Sequence, residues 1–220
     1  MRLTVYGRSV ILKVLLLSLA IDIAALFVPY EIIKIVMLVI SIALMSFTLY
    51  FFRDPLRKLP PGFNENEIIS PADGNVMMIE EIEDNVYLNS KAKMIGVFLS
   101  PLNVHVNRIP VSGMVGYFQY IKGDYIVAFD HKSSERNERT VIGIDTGKFK
   151  VLFKQIAGFV ARRIVCDLRV NDEVSVGDTF GMIKFGSRVD IIFPVNSVVK
   201  VSVNQKVTGG ETVLAEVISA

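Results

Sequence analysis

The stretch Asn171-Asp172-Glu173-Val174-Ser175-Val176-Gly177-Asp178-Thr179-Phe180-Gly181 alternates polar turn residues with single apolar ones, the pattern of short strands joined by tight turns. Comparable runs lie on its N-terminal side. Residues 75–79, 93–99, 103–109, 113–117, 140–145 and 150–155 are rich in β-branched and aromatic side chains and are bounded by turn formers, and each predicts a strand. Residues 159–165 (FVARRIV) fit a strand or a short helix equally well. Helical periodicity is hard to find anywhere after residue 58, so this part of the chain is predicted as a mainly β soluble domain.

The exchange of turn and strand around residues 171–181 has a barrel-sandwich character, as in lipoyl or biotinyl carrier domains. A carrier presents its modified lysine at a hairpin tip, and no hairpin here offers a Met-Lys-Met or Asp-Lys-Ala tip. The expectation is therefore of a lipoyl-like shape without the carrier's chemistry.

Two nearly unbroken apolar runs precede this domain: residues 10–28 (VILKVLLLSLAIDIAALFV) and 32–52 (IIKIVMLVISIALMSFTLYFF). A helix of about 20 residues rises roughly 30 Å, the thickness of a bilayer's hydrocarbon core. Pro29-Tyr30-Glu31 breaks the pair into a two-helix transmembrane hairpin. The polar face of a soluble core helix is missing from both runs, and the second segment argues for an anchor over a cleaved signal peptide. Asp22 is a lone carboxylate inside the first run, placed either for function or against the partner helix. Arg2, Arg8 and Lys13 precede the hairpin and Arg53, Arg57 and Lys58 follow it, while the turn carries only Glu31 and nearby Lys34. Both ends should therefore face the cytoplasm, placing the protein in the cell membrane with its soluble domain on the cytoplasmic side. Leu59-Pro60-Pro61-Gly62-Phe63-Asn64 cannot continue a helix. The expected layout is an anchor over residues 1–58 and a soluble domain over 59–220.

The whole 220-residue chain is 51% hydrophobic, with mean hydropathy +0.46, which is high for a soluble protein. A formal charge of only +2 gives no electrostatic case for a nucleic-acid partner. The single cysteine, Cys166, excludes an intramolecular disulfide and a paired-cysteine zinc site, and no metal is expected. His105 and His131 are the only imidazoles.

Chemistry enters at Lys184-Phe185-Gly186-Ser187-Arg188-Val189-Asp190, where a Gly-Ser bond joins two β-like segments. Gly-Ser is by default a turn. Its functional reading is self-cleavage: Ser187 Oγ adds to the Gly186 carbonyl, and the amide becomes an ester. Elimination then leaves dehydroalanine at 187, which hydrolyses to a pyruvoyl group. In Ser70-Pro71-Ala72-Asp73-Gly74 the aspartate is by default a turn former, and functionally it could orient an imidazole. Alternation along residues 98–110 places Asn103, His105 and Asn107 on one strand face and Val104 and Val106 on the other. A histidine on such a polar face is available for proton transfer.

Several stretches together resemble the phosphatidylserine decarboxylase family. They are Phe52-Arg53-Asp54-Pro55, the SPADG turn at Ser70, LSPLNVHVNRIP from Leu99, Asn137-Glu138-Arg139, Gln155-Ile156-Ala157-Gly158 and FGSR from Phe185. The resemblance implies cleavage into a β chain ending at Gly186 (1–186) and an α chain opening at Ser187 (187–220). The two chains stay associated, and the covalent pyruvoyl cofactor is made from Ser187. It also implies Asp73 and Ser187 as members of a maturation triad and His105 as the histidine tied to decarboxylation. The chain departs from the family pattern at Arg108, where many members have the triad histidine, and at FGSR in place of LGST, as in a shorter branch. A guanidinium accepts no proton at neutral pH. The maturation base is then His105, Asp73 or His131.

The implied reaction converts a serine phospholipid, phosphatidylserine or its ether-lipid analogue, to the ethanolamine phospholipid through a Schiff base with the pyruvoyl group. His105 would be the proton donor, and Arg188 would pair with the lipid phosphate. Two other readings compete: a non-catalytic, membrane-anchored lipoyl-like binding module, and a pyruvoyl decarboxylase of a soluble amino acid such as histidine, aspartate or arginine. Oligomerisation is left open by the sequence.

Overall fold

The computed structural model describes residues 2–123, 136–158, 164–184 and 187–218. The chain divides into two compact units, Met1–Leu56 and Arg57–Ala220.

In the first unit, helices α1 (Arg8–Leu26) and α2 (Glu31–Phe51) are long and apolar enough to cross a membrane by length and composition. Their boundaries lie within two residues of the apolar runs, and Pro29 sits in the break. Small and hydroxylated residues, Ser18, Ala25, Ser41 and Thr48, are buried between them, allowing close approach of the two backbones. Ser18 Oγ donates to the Ser41 carbonyl at 3.5 Å and Ser41 Oγ donates to the Ser18 carbonyl at 3.4 Å. Leu16, Leu19 and Ile42 are among the apolar residues left facing outward. Asp22 lines a cleft with Ser18, Ser41 and Ser46, so the lone carboxylate lies among hydroxyls of both helices. Backbone bonds from Thr4 N to Phe52 O and from Asp54 N to Arg2 O tie the two ends of the hairpin together.

The second unit is built of strands β1 (Glu67–Ile69), β2 (Gly74–Asp84), β3 (Ser90–Leu99), β4 (Val106–Arg108), β5 (Gly113–Ile121), β6 (Arg139–Asp145) and β7 (Lys150–Ala157). There follow β8 (Ile164–Cys166), β9 (Glu173–Val174), β10 (Thr179–Ile183), β11 (Ser187–Pro194), β12 (Ser197–Val199), β13 (Lys206–Val207) and β14 (Val213–Val217). The expected mainly β domain is observed, its largest sheet curled as a half-barrel in the order β13-β2-β3-β11-β7-β6-β5-β9. Two three-stranded sheets, β1-β14-β12 and β4-β10-β8, complete it.

Strand β11 lies between β3 and β7 and is buried from Ser187 through Phe193. One face packs into the main core with Val97, Leu99, Ala157, Val189 and Ile191. The other meets a smaller cluster that includes Met78, Met94, Leu152 and Ile192. Burying polar groups on a strand covered on both faces is costly unless they are matched; β11 is apolar from Ile191 to Phe193 and carries the Arg188–Asp190 pair before that.

Strand β4 is shorter than the predicted 103–109. Ser100-Pro101-Leu102-Asn103 closes as a turn, with Asn103 N bonded to Ser100 O at 2.9 Å and Ser100 N to Asn103 Oδ1 at 2.8 Å. Val104, His105, Val106 and Asn107 are all buried. The predicted polar face therefore turns into the protein.

Candidate active site

Ser187 opens β11, paired with Leu99 on β3 and Ala157 on β7. Residues directly opposite in an antiparallel pair share a face, so Ser187 shares the interior with those side chains and with Val189. It is fully buried, and its Oγ has no hydrogen-bond partner among the described residues. Gly186 and His131 lie outside the described residues.

The turn at 100–103 leads the chain into His105. Its carbonyl accepts from Ile183 N at 3.4 Å, at the end of β10, four residues before Ser187. The ring is fully buried, with Nδ1 2.9 Å from the Asn103 carbonyl. A carbonyl only accepts, so Nδ1 carries a proton, and in the neutral form of the ring the lone pair falls on Nε2.

Asp73 lies in a turn shaped by Ser70, whose Oγ donates to the Ala72 carbonyl at 2.7 Å. Both carboxylate oxygens accept from Arg57 Nη2, at 3.0 and 2.8 Å, and Oδ1 also accepts from Gly209 N at 2.8 Å. Arg108, on β4, donates from its backbone N to Pro71 O at 2.9 Å and from Nη1 to Gly177 O at 3.0 Å. Gly210 sits at φ +80°, and a Cβ there would stand 2.8 Å from Arg108 Cδ and 3.4 Å from Arg57 Cβ. Asp73, Arg57 and Arg108 thus converge on the Gly209-Gly210 turn. Arg57 was read from the sequence only as a flanking positive charge, and nothing local marks a residue in a proline-rich linker as the partner of a carboxylate 16 positions on.

Arg188 is placed differently from its sequence expectation. Period two along β11 sends it to the face opposite Ser187, where it is 1% exposed. There Nε donates to Asp190 Oδ1 at 2.5 Å and Nη2 to Asp190 Oδ2 at 3.0 Å. Gly96 lies opposite Asp190, and a Cβ on it would come within 3.2 Å of both Arg188 Nε and Asp190 Oδ1, so this glycine makes room for the ion pair. Lys154, paired with Asp190 across the sheet, is pushed below the ordinary lysine range by burial, offset in part by Asp190 and Asp84. Cys166 is pushed up to about 11 by burial, which leaves it a protonated thiol and a poor nucleophile at neutral pH.

A second polar cluster went unread in the sequence. Thr140 Oγ1 donates to Gln155 Oε1 at 2.7 Å, and Gln155 Nε2 donates to Asn107 Oδ1 at 2.8 Å. A glutamine inside the otherwise apolar end of β7 was its one sequence signal.

The profile of the family "Phosphatidylserine decarboxylase" matches residues 44–215. The chain belongs to the phosphatidylserine decarboxylase family. It is 48% identical over 213 residues to the phosphatidylserine decarboxylase proenzyme of Chlorobium luteolum, covering 97% of this chain and 99% of that one. The proenzyme of Chlorobium chlorochromatii is 47% identical over 215 residues, with 96% and 98% covered. That of Chlorobaculum tepidum is 43% identical over 216 residues, with 98% of each covered. Membership of the phosphatidylserine decarboxylase family makes the chain a carboxy-lyase and sets aside the non-catalytic binding module. The family's reaction is the decarboxylation of phosphatidylserine.

Proposed function

We propose that this chain decarboxylates a serine phospholipid, phosphatidylserine or its ether-lipid analogue, after cutting itself between residues 186 and 187 to make a pyruvoyl group from Ser187. The observation that carries this reading is the buried Ser187 Oγ, without a hydrogen-bond partner among the described residues, opposite the small side chain of Ala157. Burying a hydroxyl unmatched costs about 1–3 kcal/mol, a cost that a reacting group explains.

In self-cleavage Ser187 Oγ bonds to the carbonyl carbon of residue 186 and the bond from that carbon to the Ser187 nitrogen breaks. The hydroxyl proton ends on the nitrogen. Loss of the residue 187 Cα proton then expels the residue 186 carboxylate from Cβ and leaves dehydroalanine, whose imine tautomer takes up water and loses ammonia to give the pyruvoyl carbonyl. The two resulting chains, 1–186 and 187–220, remain associated, because β11 stays paired with β3 and β7. His105, with its lone pair on Nε2, is the proton acceptor proposed for this step: Arg108 cannot accept, Asp73 is held by Arg57 and Gly209, and His131 is the alternative that cutting by His105→Ala would reveal.

When formed, the pyruvoyl carbonyl supplies the electron sink that an α-amino acid needs to lose carbon dioxide. His105 then returns a proton to the reacting carbon. Arg188 and Asp190 hold the register of the strand that bears residue 187. The lipid phosphate is left to a cation on another face.

Mixed vesicles containing phosphatidylserine test this reading. Wild-type protein should release carbon dioxide and form the ethanolamine lipid, and reductive amination with ammonia and cyanoborohydride should abolish that activity. Ser187→Ala should be inactive from the start. Activity retained by Ser187→Ala would rule out the pyruvoyl route. Diether lipids compared with diester lipids would decide the tail preference.

The two helices serve as the anchor, with the catalytic domain on the cytoplasmic side of the cell membrane. Support comes from Arg2, Arg8 and Arg53 lying about the joined ends of the hairpin, where the positive-inside rule puts them in the cytoplasm. In intact cells a cysteine at position 30 should react with an impermeant reagent, and cysteines at 4 or 62 should not. The reverse pattern would invert the topology.

A further inference from the structure

The cluster around Gln155 has a direction. Gln155 Nε2, besides its bond to Asn107, lies 3.4 Å from the Val165 carbonyl. That carbonyl only accepts, which fixes the N–H end of Gln155. Gln155 in turn fixes Oδ1 of Asn107 as the accepting end. Asn107 Nδ2 is therefore the terminus of the chain Thr140–Gln155–Asn107. Asn107 is fully buried, and Nδ2 has no hydrogen-bond partner among the described residues.

The terminus lies on the reacting side of the sheet. Gln155 and Ala157 project from one face of β7, and they stand opposite Val189 and Ser187, so Gln155 is the diagonal neighbour of Ser187 on that face. Asn107 stands opposite Gly181 on β10. A Cβ on Gly181 would sit 3.1 Å from Gln155 Nε2, so the glycine gives the amide its space. Two buried polar atoms without partners, one a donor and one a nucleophile, are thus linked through Gln155, which is the diagonal neighbour of Ser187 and the hydrogen-bond partner of Asn107.

We propose that Asn107 is a further catalytic residue of self-cleavage, its Nδ2 donating a hydrogen bond to the oxyanion formed when Ser187 Oγ adds to the peptide carbonyl before it. Thr140 and Gln155 are positioning residues that hold the amide with its N–H groups outward. As the C–O bond forms, the carbonyl π pair moves onto oxygen and the hydroxyl proton passes to the base. When the oxyanion collapses, the C–N bond breaks and the nitrogen takes a proton. Asn107 transfers none. The proposal rests on self-cleavage at residues 186 and 187.

The test follows cleavage of newly synthesised full-length chain with time, by intact mass. Asn107→Leu should cut about 10²–10³-fold more slowly, the usual loss for one oxyanion donor, and Gln155→Leu should slow cutting less. Hydroxylamine, which cleaves esters, should not restore cleavage to Asn107→Leu, because the ester itself forms slowly. Stability is compared between uncut chains: Asn107→Leu in the Ser187→Ala background loses the acceptor of Gln155 Nε2 together with a buried unmatched donor, so it should melt only slightly below Ser187→Ala alone, far less than its loss of cutting would suggest. Cleavage of Asn107→Leu at the wild-type rate would overturn the proposal while leaving self-cleavage standing. So would hydroxylamine rescue, or a lowered melting temperature accompanied by cutting slowed only in proportion. Wild-type enzyme that is active yet uncut would overturn the reading beneath it as well.

Discussion

The two faces of β11 bury different kinds of polar group: a compensated charge pair on one, a lone hydroxyl on the other. On one, Arg188 and Asp190 neutralise each other through two hydrogen bonds, with Gly96 giving them room, although Arg188 Nη1 is left without a partner among the described residues. On the other, Ser187 Oγ and Asn107 Nδ2 are buried without partners among the described residues. Matched burial of charge is what a strand needs in order to hold its register. Unmatched burial of a hydroxyl and an amide donor weakens the fold, and the proposed self-cleavage would account for it. Ser187 and Arg188 are adjacent in sequence, yet they answer to different physics because a strand sends neighbours to opposite sides.

The largest effect is expected on the matched face. Asp190→Ala leaves Arg188 charged and buried with no carboxylate, which should cost about 3–5 kcal/mol. Denaturant unfolding in the Ser187→Ala background, where the chain stays whole, measures it. Replacing both residues together, Arg188→Met with Asp190→Leu, should be nearly neutral. A small loss for Asp190→Ala would mean that the pair is not what secures the strand.

On the reacting side, His105→Ala should lower turnover of cleaved enzyme by about 10²-fold, the scale of a general acid. Because the same ring is proposed as the maturation base, the fraction of chain cut should fall too, and turnover must be expressed per cut chain. Normal turnover per cut chain would remove His105 from decarboxylation. Normal cutting would remove it from maturation.

Much of this architecture was legible in the sequence because its signals are local. Hydropathy placed both helices to within two residues, since the anchor's apolar length is itself the signal. Strands β3, β6 and β7 lie where β-branched runs predicted them. Strand β2 runs on to Asp84, beyond the predicted residue 79, because the acidic run Glu80-Glu81-Ile82-Glu83-Asp84 hides its alternation. The short C-terminal strands β12 and β13 carry too few residues to show a period.

Within the candidate site, Ser187, His105 and Asp73 stand out in local motifs, but their partners in the structure do not. Arg57 lies 16 residues from Asp73 and Asn107 lies 48 from Gln155, and such pairings arise only when the sheets assemble. For Arg188, the buried pairing with Asp190 was not legible for a different reason. Period two already put it across the strand from Ser187, and proximity in sequence was read as proximity in space.

Self-cleavage at residue 187 underlies every chemical role assigned here, and intact mass of the purified wild-type protein tests it most directly. Two polypeptides are predicted, one ending at Gly186 and the other beginning at residue 187 and blocked to Edman degradation by its pyruvoyl group, while Ser187→Ala gives a single mass. A fully active wild-type preparation consisting of one uncut chain, with serine intact at 187, would contradict the account.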